Sequence, residues 1–176
     1  MTQTDRLLPA NEAIDRLETQ IRTALQRGEL VDPLIIGIHT GGVWVADTLH
    51  RALDCRDPLG RLNITFYRDD FHTLGLHPQV SPSDLSVDVD GRDIILVDDV
   101  LFTGRTIRAA MNELFDYGRP RRIALAVLYQ RDGRELPICA DWTGQEIKLG
   151  PDEQIHVGGP DPITARLVSK KRAEEN

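Results

Sequence analysis

Residues 93–106 read Asp-Ile-Ile-Leu-Val-Asp-Asp-Val-Leu-Phe-Thr-Gly-Arg-Thr, and this run carries the strongest structural signal in the chain. Its apolar part, residues 94–97, is rich in β-branched side chains, which is typical of a strand buried on both faces of a parallel sheet. The residues that follow change to helical spacing, with apolar side chains at Ile107, Met111 and Leu114. The run therefore predicts a strand, a polar loop and a helix over residues 104–117.

The polar loop has the residue types of a site for a phosphorylated sugar. Free backbone N–H groups and the positive end of the helix dipole favour a phosphate at the start of the helix. Thr103 and Thr106 can add hydroxyl donors, and Gly104 allows close approach of the backbone. Asp98 and Asp99 would repel a phosphate but can accept hydrogen bonds from two neighbouring ribose hydroxyls. The loop therefore predicts a ribose 5-phosphate site; the alternative is a plain strand-turn-helix connection whose acids only cap the helix.

Two acids followed by Thr-Gly-x-Thr after an apolar strand resemble the signature of type I phosphoribosyltransferases, which bind phosphoribosyl pyrophosphate (PRPP). Residues 97–106 are most similar to the PyrR family of pyrimidine operon attenuators and uracil phosphoribosyltransferases. The resemblance continues in residues 67–70, Tyr-Arg-Asp-Asp, and in residues 134–138, Arg-Glu-Leu-Pro-Ile. It implies an α/β fold with a central, mainly parallel sheet flanked by helices. It also implies a small hood built from the N- and C-terminal segments and a flexible lid over about residues 68–89.

The composition of the chain limits the classes of function. With 176 residues, of which 40% are hydrophobic and 28% charged, we expect one globular domain over residues 1–176. A formal charge of −7 argues against broad attraction to nucleic acid or to an anionic membrane. The chain has neither an apolar run long enough to cross a bilayer nor the pattern of a signal peptide, so we expect a cytoplasmic protein.

A second loop has the features of an anion site. Residues 34–38 predict a buried strand, and His39, Thr40, Gly41 and Gly42 precede a predicted helix over residues 43–53. By resemblance this loop holds pyrophosphate through Thr40 and Gly41, although a tight turn without function remains the alternative. Many PyrR proteins carry a basic residue at the position of His39 and an arginine at that of Gly41, and this chain lacks both charges.

Three further elements are predicted from periodicity. These are an amphipathic helix over residues 11–27 with Asn11 as its N-cap, a strand over residues 61–67 and a buried strand over residues 123–129. In an open α/β sheet, ligands gather beyond the carboxyl ends of the strands, which places Arg131 near the two loops.

The resemblance implies the transfer of the phosphoribosyl group from PRPP to uracil, which gives UMP and pyrophosphate. Asp98 and Asp99 would be catalytic, and Arg68 would approach the departing pyrophosphate; a surface ion pair with Asp70 is the alternative for Arg68. The other residues implied to bind PRPP or the nucleotide are Val100, Leu101, Phe102, Thr103, Gly104, Arg105, Thr106, Arg131 and Ile155. Mg²⁺ is expected to arrive with PRPP and not in a protein cage.

Two other functions remain open. One is an RNA-binding regulator that senses UMP through the same pocket and binds a pyrimidine-operon leader RNA, with or without catalysis. The other is a purine-specific transferase, which residues 67–70 and 134–138 disfavour. The family suggests a homodimer or a larger homo-oligomer.

Overall fold

The computed structural model describes residues 6–64 and 83–169, in which five parallel strands form the central sheet. From one edge to the other, the order is β2 (Gly60–Leu62), β1 (Leu34–Ile38), β3 (Asp93–Leu101), β4 (Arg122–Arg131) and β5 (Trp142–Ile147). All neighbouring pairs are parallel, so the carboxyl ends of the strands share one edge of the sheet.

Helices cover both faces of this sheet. Helices α1 (Ala10–Gln26) and α2 (Gly41–Ala52) pack on one face, and α3 (Arg105–Tyr117) packs on the other. Because successive strand residues point to opposite faces, Ile95 joins the core under α1 and α2, whereas Leu96 joins the core under α3. Burial on both sides explains why the strand sequences are continuously apolar.

A separate antiparallel hairpin consists of β6 (Glu153–Gly158) and β7 (Thr164–Ser169). Its half-buried side chains Ile155, Val157 and Leu167 pack against the core on the α1 and α2 face. The connection between the two strands also meets α2, because a Cβ at Gly159 would lie 2.6 Å from the indole of Trp44. The hairpin therefore sits beside the sheet and is no part of it.

The predicted strand-loop-helix arrangement is confirmed, with changes at the boundaries. Strand β1 spans the predicted residues, and the apolar face of α3 is buried as predicted. The predicted N-cap was wrong, since Ala13 donates its N–H to the carbonyl of Pro9 at 3.1 Å and Asn11 lies inside the first turn. Helix α2 likewise begins at Gly41 and not at residue 43, so both glycines belong to its first turn.

Strand β3 is longer than predicted, and β2 begins one residue earlier than predicted. Both Asp98 and Asp99 lie within β3, where Asp98 is opposite Val127 of β4. Among the described residues, β2 ends at Leu62, after which the N–H of Asn63 donates to Ser83 Oγ at 2.9 Å. Residues 65–67 of the predicted strand over residues 61–67 lie outside the described residues. Strands β5, β6 and β7 were not predicted, although residues 153–158 and 164–169 alternate between apolar and polar side chains.

The predicted lid over residues 68–89 falls mostly outside the described residues. Its end does not, and here Asp84 exchanges two backbone hydrogen bonds of 2.8 Å with Arg61. Val89 is fully buried. The lid remains a prediction for residues 68–82 alone. Across the described ranges, no helix is both long and apolar enough to span a bilayer.

Candidate active site

The ends of β1 and β3 bring the two predicted loops into contact. A Cβ at Gly41 would lie 2.1 Å from Asp99 Oδ2, and a Cβ at Gly42 would lie 2.7 Å from the carbonyl oxygen of Val97 and 2.9 Å from the Cα of Asp98. Any larger residue at either position would therefore collide with the end of β3. The two glycines let the start of α2 lie directly against the acid pair.

Both carboxylates are held by the backbone of their own strand end. Asp98 is 4% exposed, and its Oδ1 accepts the N–H of Asp99 at 3.0 Å. Asp99 is partly exposed, and its Oδ1 accepts the N–H of Val100 at 2.8 Å, while Oδ2 faces Gly41. Asp99 thus lies at the start of α2, the predicted pyrophosphate site, a contact that the sequence did not indicate.

The loop that precedes α3 has the geometry of a phosphate-binding turn. Gly104 is the N-cap with φ +94°, a conformation that favours glycine. The Thr103 hydroxyl accepts the N–H of Arg105 at 3.2 Å, and the Thr103 carbonyl accepts the N–H groups of Glu135 and Leu136 at 3.1 and 3.0 Å. The peptide bond between Thr103 and Gly104 is planar and trans, so its N–H points opposite to its carbonyl. The Gly104 N–H therefore points away from residues 135 and 136.

The positive ends of α2 and α3 carry no acid within their own first turns. At the start of α3 the nearby acid is Glu135, which lies after β4 in the chain. Its Oε2 accepts hydrogen bonds from Arg105 Nη2 at 2.7 Å and Nε at 3.2 Å. Both side chains are about half exposed, at 49% and 53%. The Arg105 guanidinium is therefore already paired, which leaves the backbone N–H groups and the threonine hydroxyls as the principal anion ligands of this turn.

Arg131 and Phe102 form a stacked pair at the end of β4. The guanidinium carbon of Arg131 lies 4.0 Å from the centroid of the Phe102 ring, and Nη1 donates to the Glu153 carbonyl at 3.2 Å. Nε is buried without an acceptor among the described residues. Burial lowers the pKa of Arg131, and the nearby charges of Asp132 and Glu153 oppose that effect. An oxygen of a ligand would satisfy the orphaned N–H.

His39 supplies no positive charge to the α2 loop at neutral pH. Burial, followed by the charge of Arg61, lowers the pKa of its imidazole below the ordinary value of 6.5. The neighbouring Thr40 is exposed at the N-cap of α2. An anion bound at this loop would therefore depend on the backbone and on Thr40 more than on the histidine.

The structure brings most of the predicted residues to one edge of the sheet, but their contributions differ. Gly41 meets Asp99 and Phe102 meets Arg131, while Thr40 precedes Gly41 as the N-cap of α2. The side chains of Val100 and Leu101 belong to the core, so only their backbone is available. Ile155 pairs with Leu167 in the hairpin and packs inward.

Two parts of the prediction are not tested by this geometry. Arg68 lies outside the described residues. Within residues 6–64 and 83–169, no three histidine, cysteine or carboxylate side chains form a group that could hold a metal ion. The arrival of Mg²⁺ with PRPP remains a prediction.

Sequence reasoning missed the supporting residues Asp132, Glu135 and Glu153, and it placed Gly42 in the loop without its packing contact. Glu135 lay inside the quoted Arg-Glu-Leu-Pro-Ile run but received no role. Its contact with Arg105 joins residues 30 positions apart and has no local signature.

Comparison with known proteins agrees with this geometry. The family described as "Phosphoribosyl transferase domain" matches residues 3–161. "Bifunctional protein PyrR" of Nitrosococcus oceani is 55% identical over 161 residues, which cover 88% of this chain and 91% of that protein. The protein of the same name from Pseudomonas aeruginosa is 51% identical over 152 residues, with coverages of 86% and 89%.

Solved structures share the fold at low sequence identity. A hypoxanthine-guanine phosphoribosyltransferase of Bacillus anthracis is 19% identical with a TM-score of 0.65, and each chain is covered to 85%. A hypoxanthine phosphoribosyltransferase of Trypanosoma cruzi is 21% identical with a TM-score of 0.67, over 96% of this chain and 93% of that one. Similarity at this level establishes a common fold and carries no information about the base.

Proposed function

This chain belongs to the PyrR family and carries a phosphoribosyltransferase domain, and on that premise we propose that it converts uracil and PRPP to UMP and pyrophosphate. The observation that carries the proposal is the direct contact between the start of α2 and the acid pair of β3, next to the α3 turn. A substrate with phosphate at both ends of a ribose matches two helix starts on either side of two carboxylates.

In this proposal, the α3 turn binds the 5-phosphate. The donors are the N–H groups of Gly104 and Thr106 and the hydroxyls of Thr103 and Thr106, and the Arg105 N–H joins them when it exchanges the Thr103 hydroxyl for the phosphate. The ribose hydroxyls then donate to Asp98 and Asp99, whose positions are fixed by hydrogen bonds to the backbone. Preorganised acceptors of this kind orient the sugar without reorganisation during the reaction.

Pyrophosphate is proposed to bind at the start of α2, near Thr40 and Gly41. The Asp99 carboxylate already faces Gly41, so a bare pyrophosphate would meet a like charge there. A Mg²⁺ ion that enters as part of the substrate would remove this repulsion, because it binds phosphate and carboxylate oxygens. Arg68 remains a prediction as a further ligand of the departing pyrophosphate.

The reaction exchanges one bond at the anomeric carbon for another. The bond from C1 of the ribose to the pyrophosphate oxygen breaks with its electron pair on oxygen, N1 of uracil bonds to C1, and the N1 proton passes to the departing pyrophosphate or to water. Positive charge develops on the sugar as in other glycosyl transfers. Asp98 and Asp99 stabilise that charge, and exclusion of water protects the cation from hydrolysis.

The pair of Phe102 and Arg131 is the proposed neighbour of the uracil ring, together with the backbone near Ile155. The buried Nε of Arg131 has no acceptor among the described residues, which supports this placement because a uracil carbonyl is a suitable acceptor.

A second activity is the binding of a pyrimidine-operon leader RNA under the control of UMP. The word "Bifunctional" in the names of the relatives favours it, whereas the net charge of −7 restricts any RNA contact to a local surface. Regulation with little or no catalysis is the alternative. We also propose that the protein is located in the cytoplasm, where PRPP is available, and that it forms a homodimer or larger homo-oligomer.

Formation of UMP from labelled uracil, PRPP and Mg²⁺ tests the enzymatic proposal. Purified wild-type protein is expected to form UMP, and the double variant Asp98→Asn/Asp99→Asn is expected to lose at least about 100-fold in kcat/KM. Asp116→Asn, at an exposed position of α3, is the control and should retain activity. Absence of UMP formation above the double variant would refute the proposal.

A gel shift with a pyrimidine-operon leader RNA tests the second activity. We expect UMP to tighten binding and added salt to weaken it. RNA binding that ignores UMP would separate regulation from the nucleotide pocket, and binding without catalysis would favour the alternative.

A further inference from the structure

The connection between β5 and β6, residues 148–152, is tied to the end of β4 by Asp132. Its Oδ1 accepts the N–H of Leu149 at 3.0 Å, and its own N–H donates to the Ile147 carbonyl at 3.3 Å. One residue directly after β4 therefore holds this connection through both its side chain and its backbone.

Glu153 closes the same connection from the other end. Its Oε2 accepts the N–H of Gly150 at 2.6 Å, and its N–H donates to the Gly150 carbonyl at 3.1 Å. Arg6 donates to the Glu153 carboxylate at 3.2 Å and to the Lys148 carbonyl at 2.7 Å. The first residue of β6 is thus fixed to the connection and to the N-terminal segment.

These ties lie next to the residues proposed to meet the base. Asp132 follows Arg131 directly, and Arg131 donates to the carbonyl of Glu153. Glu153 precedes Ile155 by two residues in β6. The hairpin side chains that pack on the core are only half-buried, so apolar packing alone sets its orientation to the sheet weakly. The directional hydrogen bonds to the Asp132 and Glu153 carboxylates fix the orientation of the hairpin relative to the sheet more strongly.

We propose that Asp132 and Glu153 are positioning residues that hold the β6–β7 hairpin at the distance from β4 that base recognition requires. The inference rests on the proposed function, because it assumes that the base binds between Arg131 and the hairpin. Neither carboxylate touches the substrate; both act through Arg131 and the backbone at Ile155.

The test compares two ligands that differ only by the base. UMP and ribose 5-phosphate share the sugar and the phosphate, so the ratio of their dissociation constants reports the contribution of uracil. Calorimetry on wild-type protein is expected to show UMP binding at least about tenfold tighter than ribose 5-phosphate. Asp132→Ala should reduce this ratio by about three- to tenfold, the usual net effect of one hydrogen bond, and leave ribose 5-phosphate binding unchanged.

Two matched variants accompany the alanine variant. Asp132→Asn keeps a side-chain oxygen for the Leu149 N–H and should stay within about twofold of wild type. Glu146→Ala removes an exposed carboxylate from the neighbouring strand β5 and should change nothing. Because Asp132 is exposed in a loop, Asp132→Ala is expected to fold, which urea unfolding verifies.

Each remaining outcome decides between the two proposals. An unchanged ratio in Asp132→Ala, or equal loss of both ligands, would overturn the positioning role. If wild-type protein binds UMP no more tightly than ribose 5-phosphate, the positioning role is also overturned, but the sugar-phosphate site is not. A wild type that binds neither ligand would refute the proposed function itself.

Discussion

Gly41 and Gly42 are adjacent in α2, yet the structure gives them different tasks. At Gly41 a Cβ would lie 2.1 Å from the Asp99 carboxylate, which can rotate away, and 3.0 Å from the Asp99 Cβ, which needs only a small shift. At Gly42 it would meet the backbone of residues 97 and 98, which cannot move without distorting β3. One glycine therefore preserves the position of a carboxylate that we propose is catalytic, and the other preserves the packing of a helix on a strand.

We expect Gly41→Ala to lower activity without large loss of stability. Displacement of Asp99 should reduce kcat/KM for PRPP by about tenfold or more, because misplacement by about 1 Å can cost about 100-fold. Steady-state kinetics and urea unfolding measure the two quantities. Gly42→Ala provides the contrast, since the overpacked contact should lower the free energy of unfolding by about 1–3 kcal/mol. Equal effects of the two variants on stability and activity would contradict this division.

This contact also marks the limit of what the sequence could predict at the residue scale. The acid pair, the threonines and the glycines were identifiable because their order along the chain is local. The approach of Asp99 to Gly41 is a tertiary contact between β3 and α2, which no spacing in the sequence encodes. The stacking of Arg131 on Phe102 and the pairing of Glu135 with Arg105 depend on the fold in the same way.

At the scale of elements, β3 is anchored at its start by a buried acid. Asp93 is 1% exposed, and its Oδ2 accepts the N–H of Val31 at 2.7 Å and pairs with the Arg121 guanidinium. Removal of the carboxylate would leave both donors without that acceptor. The acid therefore joins the segments that precede β1, β3 and β4 at the edge opposite the candidate active site.

We expect Asp93→Ala to lower the free energy of unfolding by about 1–3 kcal/mol, because the Val31 N–H loses its acceptor and the half-exposed Arg121 loses a charge-assisted hydrogen bond. Equilibrium unfolding in urea measures this change. The control is Asp47→Ala, which removes an exposed ion pair with Arg51 and should change stability by less than about 1 kcal/mol. A loss below that level for Asp93→Ala would show that the buried acid does not anchor β3.

We expect the hydrogen bonds that attach the β6–β7 hairpin to weaken at acidic pH. The Leu149 N–H lowers the pKa of Asp132, and the Gly150 N–H lowers the pKa of Glu153, relative to their ordinary values of 3.8 and 4.5. A carboxyl with a lowered pKa in the folded state stabilises the fold above its unfolded pKa, and this contribution disappears as the pH falls through the lowered value. The ties should therefore persist at neutral pH and weaken only in strong acid.

NMR chemical shifts of the Leu149 and Gly150 amides would follow this titration. Midpoints below 3.8 and 4.5 respectively are expected, with the amide of Leu149 insensitive to pH in Asp132→Asn. Midpoints at or above the ordinary values would show that the two carboxylates do not accept these hydrogen bonds in solution.

The hairpin shows why the element scale was predicted only in part. The alternating residues 153–158 and 164–169 carry a strand signal, but they lack the continuous apolar character of β1, β3 and β4. Strand β5 also mixes apolar and polar side chains. Its buried Gly144 packs against α1, because a Cβ at this position would lie 2.7 Å from the Ala13 carbonyl oxygen. Elements buried on both faces were therefore predictable, whereas half-exposed ones depend on neighbours that the sequence does not identify.

At the scale of the whole molecule, the fold brings the starts of α2 and α3 and the end of β3 to one edge of the sheet. This assembly explains how a chain with a net charge of −7 can still present a site for a highly charged anion. Local N–H groups and helix dipoles act at short range, whereas the net charge is screened beyond about 10 Å at moderate salt.

Binding of UMP should stabilise the whole chain because the ligand binds only the folded state. A UMP concentration about 100 times the dissociation constant is expected to raise the free energy of unfolding by about 2.7 kcal/mol. Urea unfolding with UMP and with uridine separates the contributions, since uridine lacks the phosphate. Equal stabilisation by uridine at the same concentration would contradict a phosphate site at α3.

The central claim is that β3 presents its acid pair to a ribose while the α3 turn binds the 5-phosphate. A crystal structure of the protein with bound UMP tests this most directly. The account predicts the phosphate within hydrogen-bonding distance of the N–H groups of residues 104–106 and the ribose hydroxyls on Asp98 and Asp99. A nucleotide bound elsewhere, with both carboxylates facing only solvent, would contradict it.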